Sequence, residues 1–240
     1  QNGLCSNVAT GTFGLNRFNI DLGGRRFEGT RETYRAVGGV EGTFNEDWNY
    51  ELAVNYGRFE AVGFNTNNLV IFNQAGTAYD GFNLAVDAVV APSTFTGTNF
   101  VTNAAGQRVI CAVNAVSNVN TACVPVNVFG QGRSDARALD FINTEGRTDE
   151  FASQFVASAF VGGDLSQLFE LPGGPVAFAL GAEYRQEKAS VDYDALTSSG
   201  ATFLNALQDF RPPVFAVREA YGEVQVPLFK DVPFAKELSL

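Results

Sequence analysis

The sequence predicts an all-β chain: a partial antiparallel up-and-down transmembrane β-barrel, about five to six strands of a larger barrel, with long extracellular loops. Two observations predict it, strict period-two alternation in several segments and a rhythm of short and long connections between them. In residues 48–56 every even position is large and apolar or aromatic (Trp48, Tyr50, Leu52, Val54, Tyr56), while the odd positions hold Asn49, Glu51, Ala53 and Asn55. A period of two belongs to a strand, whose side chains alternate between faces. Residues 34–44 repeat the pattern, with Tyr34, Ala36, Gly38, Val40, Gly42 and Phe44 on one face and Arg35, Glu41 and Thr43 on the other. Strands of roughly 10 residues with aromatics near their ends suit an outer-membrane strand, whose backbone polar groups must all be paired within lipid. A soluble antiparallel sheet with one buried face writes the same hairpin, so the connections must decide.

After the hairpin, alternation fades near Gly63, and residues 65–150 are rich in Asn, Gly, Thr, Ala and Ser. Within that polar, irregular stretch Ser134-Asp135 offers an N-cap for a short helix through Ala138, Leu139 and Ile142. Alternation returns over residues 151–161, where Phe155, Ala157 and Ala159 oppose Gln154 and Ser158. A compact connection over residues 162–175 carries Gly162-Gly163, Pro172 and Gly173-Gly174, all turn chemistry. Val176, Phe178, Leu180, Ala182 and Tyr184 then share a face opposite Glu183 and Arg185. A second polar stretch, residues 186–213, leads to a strand over residues 214–227, with Ala220, Gly222, Val224 and Val226 outward and Glu219, Tyr221, Glu223 and Gln225 inward. Residues 228–236 make a short connection, and Glu237-Leu238-Ser239-Leu240 opens another strand.

The connections therefore run short, very long, fairly short, long, short. Membrane barrels alternate in this way, with short periplasmic turns and long outer loops, whereas a Greek-key sandwich has no reason to. The rhythm orients the chain. The turn at residues 45–47 is periplasmic, Trp48 sits at the inner interface with its indole N–H within reach of water, and residues 65–150 and 186–213 are extracellular.

Hydrophobic content of 45% and 18% charged residues are ordinary for a globular chain, and no run approaches the ~18 apolar residues of a spanning helix. A net charge of −10 leaves no basic stripe for nucleic acid. The chain has 22 Phe and 25 Gly but no Met and no His, so it lacks the commonest metal ligand and general base; no cofactor is expected. With no initiator Met and no leader, it reads as an internal excerpt. Cys111 and Cys123 are expected to form a disulfide, stabilising by roughly 3 kcal/mol in an oxidising compartment. Two thiols alone are a poor zinc site, and Cys5 is left over.

The candidate lumen-facing polar residues are Glu41, Glu51, Glu183, Arg185, Glu219 and Glu223, and the candidate lipid-facing or girdle residues are Trp48, Tyr50, Leu52, Val54, Phe178, Leu180 and Tyr184. Paired carboxylates at Glu183 and Glu219 invite a glycoside-hydrolase reading, but alternating charge is what a wet inner wall needs, and no catalytic residue is assigned. Gly130-Gln131-Gly132-Arg133 lacks the third glycine and the Lys-Ser/Thr ending of a phosphate loop. Asp192 and Asp194 are expected to be solvated rather than to bind calcium. Phe95, Phe100, Phe129, Phe203 and Phe210 either capture a ligand at a pore mouth or form the small cores of long loops, the latter being preferred.

Four stretches, in order and across nearly the whole chain, resemble the barrel of TonB-dependent outer-membrane receptors: Gly29-Thr30-Arg31 through Tyr34-Arg35 to the Trp48 strand, residues 123–130 (CVPVNVFG), residues 174–185 (GPVAFALGAEYR) and residues 219–227 (EAYGEVQVP). The resemblance implies a segment of a large barrel in the bacterial outer membrane, in contact with lipid and lipopolysaccharide and filled by the receptor's own plug domain. It implies import of a scarce small-molecule solute, siderophore-iron, cobalamin or a saccharide, with energy delivered through TonB. No TonB box, plug or terminal aromatic strand is found within residues 1–240, which are expected to form part of the barrel domain alone. A secreted soluble β-sandwich binding module is the alternative, and a glycoside hydrolase a more distant one.

Overall fold

The computed structural model describes residue 15 and residues 18–67, 69–72, 81–202 and 206–240; Cys5 and Phe203 lie outside the described residues. In chain order the elements are β1 (Arg26–Phe44), β2 (Trp48–Thr66), α1 (Phe82–Val86), β3 (Ala88–Val90), β4 (Val101–Thr102), β5 (Arg108–Cys111), α2 (Ala136–Ile142), β6 (Gly146–Asp164), β7 (Ala177–Tyr193), α3 (Ala195–Ser199), β8 (Phe215–Gln225), β9 (Pro227–Val232) and β10 (Ala235–Ser239), with 3-10 turns at Ile20–Leu22 and Ala112–Asn114. The chain is mostly β, and among the described residues no helix is long and apolar enough to cross a membrane. It divides into two compact units.

The strand unit comprises residues 29–62, 149–192 and 209–240. The long strands form one five-stranded sheet in the order β1-β2-β6-β7-β8, each beside its neighbour in the chain. This is the meander that the alternating connections predict. The sheet is open, with β1 and β8 at its edges, and does not close into a barrel among the described residues. The strands are longer than the roughly 10 residues expected: β1, β2 and β6 have 19 residues each and β7 has 17. Their extra turns carry polar residues on both faces, such as Asn65 and Thr66 or Thr148 and Asp149. There the period-two signal fades although the backbone ladder continues.

The expected connection over residues 228–236 is also corrected. β9 runs on through Val232, and a two-residue turn, Pro233-Phe234, joins it to β10 in register Ala235↔Val232 and Glu237↔Lys230. The first hairpin turns through left-handed Asn45 and Glu46, with φ of 55° and 57°, the handedness that matches strand twist in a tight hairpin.

The loop unit comprises the described parts of residues 1–28, 63–148 and 193–208. What reads as an irregular polar stretch holds a fold of its own. A three-stranded antiparallel sheet, in the order β3-β5-β4, aligns Ala88 with Cys111, and Val90 and Val101 both with Val109. A separate core gathers buried Leu22, Val70, Ala85 and Ile142, packed against Phe72, Phe82 and Leu139. The predicted helix is present as α2, with the Asp135 side chain accepting from the Arg137 amide as N-cap.

Candidate functional site: a two-faced strand wall

In the strand unit the even positions of β1, β2, β7 and β8 and the odd positions of β6 share one face. At the short-turn end of this apolar face the rings of Phe44, Trp48 and Phe178 meet edge to face, with centroids 5.3 Å and 4.8 Å apart. Tyr50 lies 6.0 Å from Phe44 and covers Gly42, where a Cβ would come within 2.8 Å of the tyrosine hydroxyl. The Trp48 indole N–H donates to the Asp164 carbonyl at 2.7 Å. The expected water partner is thus replaced by backbone of the neighbouring strand end, because β6 continues past Val161 and brings that carbonyl alongside. Toward the long-loop end a second aromatic row holds Tyr34, Tyr56 and the pair Phe155 and Tyr184, 6.3 Å apart. Between the rows, Leu52 and Leu180 are each 48% exposed, and Val224, paired with Phe178 at the level of the first row, is 60% exposed. Charge returns immediately beyond the upper row: the Tyr34 hydroxyl donates to Glu32 at 2.9 Å, Arg58 pairs with Glu60, and the Arg218 guanidinium lies 5.8 Å from the Tyr184 ring centre.

The opposite face is polar. Antiparallel pairing of β7 with β8 sets Glu183 opposite Glu219, Ala179 opposite Glu223 and Glu187 opposite Phe215. Arg185 stands 3.8 Å from the carboxylates of both Glu183 and Glu187. Gln154 donates to Glu187 at 2.8 Å and Arg35 to Asn55 at 3.1 Å, while Glu41 and Glu51 occupy the same face, exposed. The Tyr221 ring covers Gly181, where a Cβ would meet it at 2.2 Å. The β7 to β8 register keeps the odd residues of the two strands on one face and the even residues on the other.

A cavity of about 560 Å³ opens on the polar face toward the long-loop end, lined by Phe59, Phe215, Pro212 and Pro213 and by the Gln154 and Glu187 pair. Sequence reasoning did not assemble it, since its parts come from five separate segments. The signal is there in retrospect: Phe59 and Phe215 stand at odd positions, where the pattern calls for polar residues.

At the other end of the unit the two short connections are tied together. The Asp47 carboxylate accepts from the Ser166 hydroxyl at 3.1 Å and from the Gln167 amide at 2.8 Å, and Gln167 also donates to the Asn45 carbonyl at 2.7 Å. Gly163 allows this approach, since a Cβ there would lie 2.5 Å from the Asp47 carbonyl oxygen.

In the loop unit Cys111 and Cys123 form the predicted disulfide, with Cα atoms 6.2 Å apart. Both half-cystines are buried beside Asn99 and Asn114. Asn99 donates to the Asn118 side chain at 3.1 Å and to the Asn120 and Cys123 carbonyls at 3.2 Å, and Asn114 donates to the Asn120 carbonyl at 2.8 Å. Asparagines that read as solvated loop are instead the polar interior of the stapled segment. Phe95 is buried, Phe100 lies under the Arg108 guanidinium at 4.7 Å, and Phe129 is exposed; in the strand unit, Phe210 is exposed too.

Neither aspartate of the 192–194 segment is simply solvated. In the strand unit Asp192 accepts from Arg211 at 2.6 Å. In the loop unit Asp194 caps α3, accepting from the Thr197 amide at 2.9 Å and hydroxyl at 2.6 Å and from the Arg147 amide at 2.8 Å. Burial pushes the Asp194 carboxyl up, but these hydrogen bonds outweigh it and hold the group below the usual carboxylate range. The Arg137 guanidinium likewise holds Asp135 low, and it also donates to the Thr98 and Phe100 carbonyls, each at 3.0 Å. Among the described residues no group of three or more His, Cys, Asp or Glu is placed to hold a metal. No protein-family model, curated protein or solved structure matches this chain.

Proposed function

We propose that the strand unit is a wall panel of a TonB-dependent outer-membrane receptor, with its apolar face in lipid, its polar face toward a lumen, and the loop unit outside the cell. One observation carries the reading: one face gathers the large apolar side chains Leu52, Val54, Leu180 and Val224, left about half exposed and flanked by two aromatic rows, while the opposite face is mostly polar, with Val37, Phe215 and Tyr221 as its exposed apolar exceptions. In a soluble sandwich that face would be covered by a second sheet. The dimensions fit a bilayer. Trp48 to Tyr56 and Phe44 to Tyr34 span about 26 and 33 Å at ~3.3 Å per residue, and a tilt of ~40° reduces these to roughly 20 and 25 Å, against an apolar band of about 25 Å in outer-membrane barrels.

The polar face supports an occupied lumen. Like charges directly opposite one another are unfavourable, so Glu183 and Glu219 suit a wall covered by a plug domain that brings a cation to them. The disulfide suits an oxidising exterior. The solute belongs to the classes this family imports, and the energy arrives through TonB. The test is Leu180→Arg in the full-length protein, with Ala179→Arg on the other face as control. Loss of outer-membrane assembly and of heat-modifiable migration in the first variant alone is the expected result; a soluble, folded Leu180→Arg product would overturn the reading.

A further inference from the structure

We infer that the 560 Å³ cavity on the polar face is a subsite for a neutral saccharide. The inference rests on the lumen reading of that face and narrows the solute to one of its three classes. Cavities of about 300–1,000 Å³ with apolar walls and few polar groups are the usual small-molecule sites. Here the walls are two phenyl rings, Phe59 and Phe215, and two prolines, Pro212 and Pro213, over a floor of Gly57, Ala152 and Ala189. Flat apolar walls match the C–H faces of a pyranose ring, and its rim of hydroxyls requires donors and acceptors side by side. Gln154 and Glu187, held 2.8 Å apart, present both kinds of atom.

Charge separates the solute classes. Two cations border the cavity, Arg58 and Lys188. Both stand at even positions and so turn to the apolar face by strand alternation, and Arg58 is engaged there with Glu60 and the Phe151 ring. Glu187, on the cavity side, is one of two carboxylates flanking Arg185 at 3.8 Å, the other being Glu183, so this group carries net negative charge. An iron chelate carrying negative charge would meet one guanidinium already shared by two carboxylates, whereas an uncharged polyol loses nothing.

The experiment is calorimetric titration of the detergent-solubilised full-length protein with maltohexaose, xylohexaose and mannohexaose as neutral probes and ferric citrate as the anionic one. At least one neutral probe binds. Phe59→Ala and Phe215→Ala each weaken it about tenfold, a difference of ~1.4 kcal/mol, while Glu51→Gln, on the same face and outside the cavity lining, changes it less than about threefold. Phe215→Leu retains apolar bulk and loses the ring, so a deficit in that variant, with heat-modifiable migration intact, is a binding effect. Failure of every neutral probe to bind, neutral binding indifferent to both phenylalanines, or ferric citrate binding that the phenylalanine variants abolish would each overturn the inference. Any of these in a protein that still inserts as a heat-modifiable barrel sinks the saccharide subsite alone; a soluble, lipid-free product sinks the receptor reading with it.

Discussion

The strand wall and the stapled segment of the loop unit solve opposite problems with the same residue types. In the wall, leucine and most of the valine and tyrosine side chains stand exposed on one face, and polar side chains such as Gln154 and Glu187 pair with one another on the other. In the stapled segment the polar side chains go inside: Asn99 and Asn114 are almost fully buried, while Val116 and Val119 are exposed. The difference teaches where each region keeps its unsatisfied surface. A long-stranded sheet satisfies its backbone through the ladder and, on the proposed lipid-facing reading, can leave apolar side chains outward. A segment with strands of only two to four residues has many backbone groups outside any ladder, and buried asparagine amides satisfy them.

That contrast is broken most directly by charge. On the proposed receptor reading, Leu52→Arg, on the apolar face midway between the aromatic rows, costs about 2–4 kcal/mol and is expected to abolish outer-membrane assembly, whereas Glu51→Arg on the other face assembles normally. Equal tolerance, read by membrane fractionation, would erase the distinction between the faces. Next in size is the disulfide. Cys111→Ser with Cys123→Ser removes roughly 3 kcal/mol of loop-closure stabilisation, seen as protease sensitivity confined to residues 81–142 with assembly of the wall unchanged. Asn114→Ala removes the Asn114 side-chain bond to the Asn120 amide and one of the two side-chain donors to the Asn120 carbonyl at about 1–3 kcal/mol; it is expected to raise hydrogen exchange at residues 112–123 and nowhere in β7.

Two smaller effects sharpen the comparison at its borders. Asp194→Ala costs about 1 kcal/mol as a lost N-cap. Because its carboxyl is held low in the folded state, the stability it contributes is present above the ordinary carboxylate value and disappears as pH falls through the lower folded value. As pH falls below about 4 the exchange rates of α3 in wild type and Asp194→Asn are therefore expected to begin converging, meeting only below the lowered folded value. Smallest is Glu46→Gly, which relieves a left-handed non-glycine residue and gains roughly 0.5–1 kcal/mol, read as slower unfolding of the first hairpin.

Alternation made the wall legible residue by residue: the even positions of β2 and β7 occupy the apolar face, and the β7 to β8 register pairs the glutamates the sequence had placed together. The α2 cap at Asp135 was equally plain, because capping chemistry is local. The strand ends were not legible, since polar residues on both faces leave no period to read. Nor was the loop unit. Strands of two to four residues carry no periodic signal, asparagine has the same turn-like composition whether solvated or buried, and the core of Leu22, Val70, Ala85 and Ile142 joins segments up to 120 residues apart. The cavity was hidden for a related reason: its two phenylalanines look like lapses in a pattern until the sheet brings them to one place.

The ties from Asp47 to Ser166 and Gln167, and from Trp48 to Asp164, make the two short turns a single mechanical part. An epitope or extra residue inserted at position 46 would unseat partners more than a hundred positions away in the chain, whereas an insertion near Gly106, in an exposed left-handed turn, touches none of them. For anyone tagging or grafting this protein, the tight turns that look expendable are the fixed end, and the elaborate loop is the end with room to change.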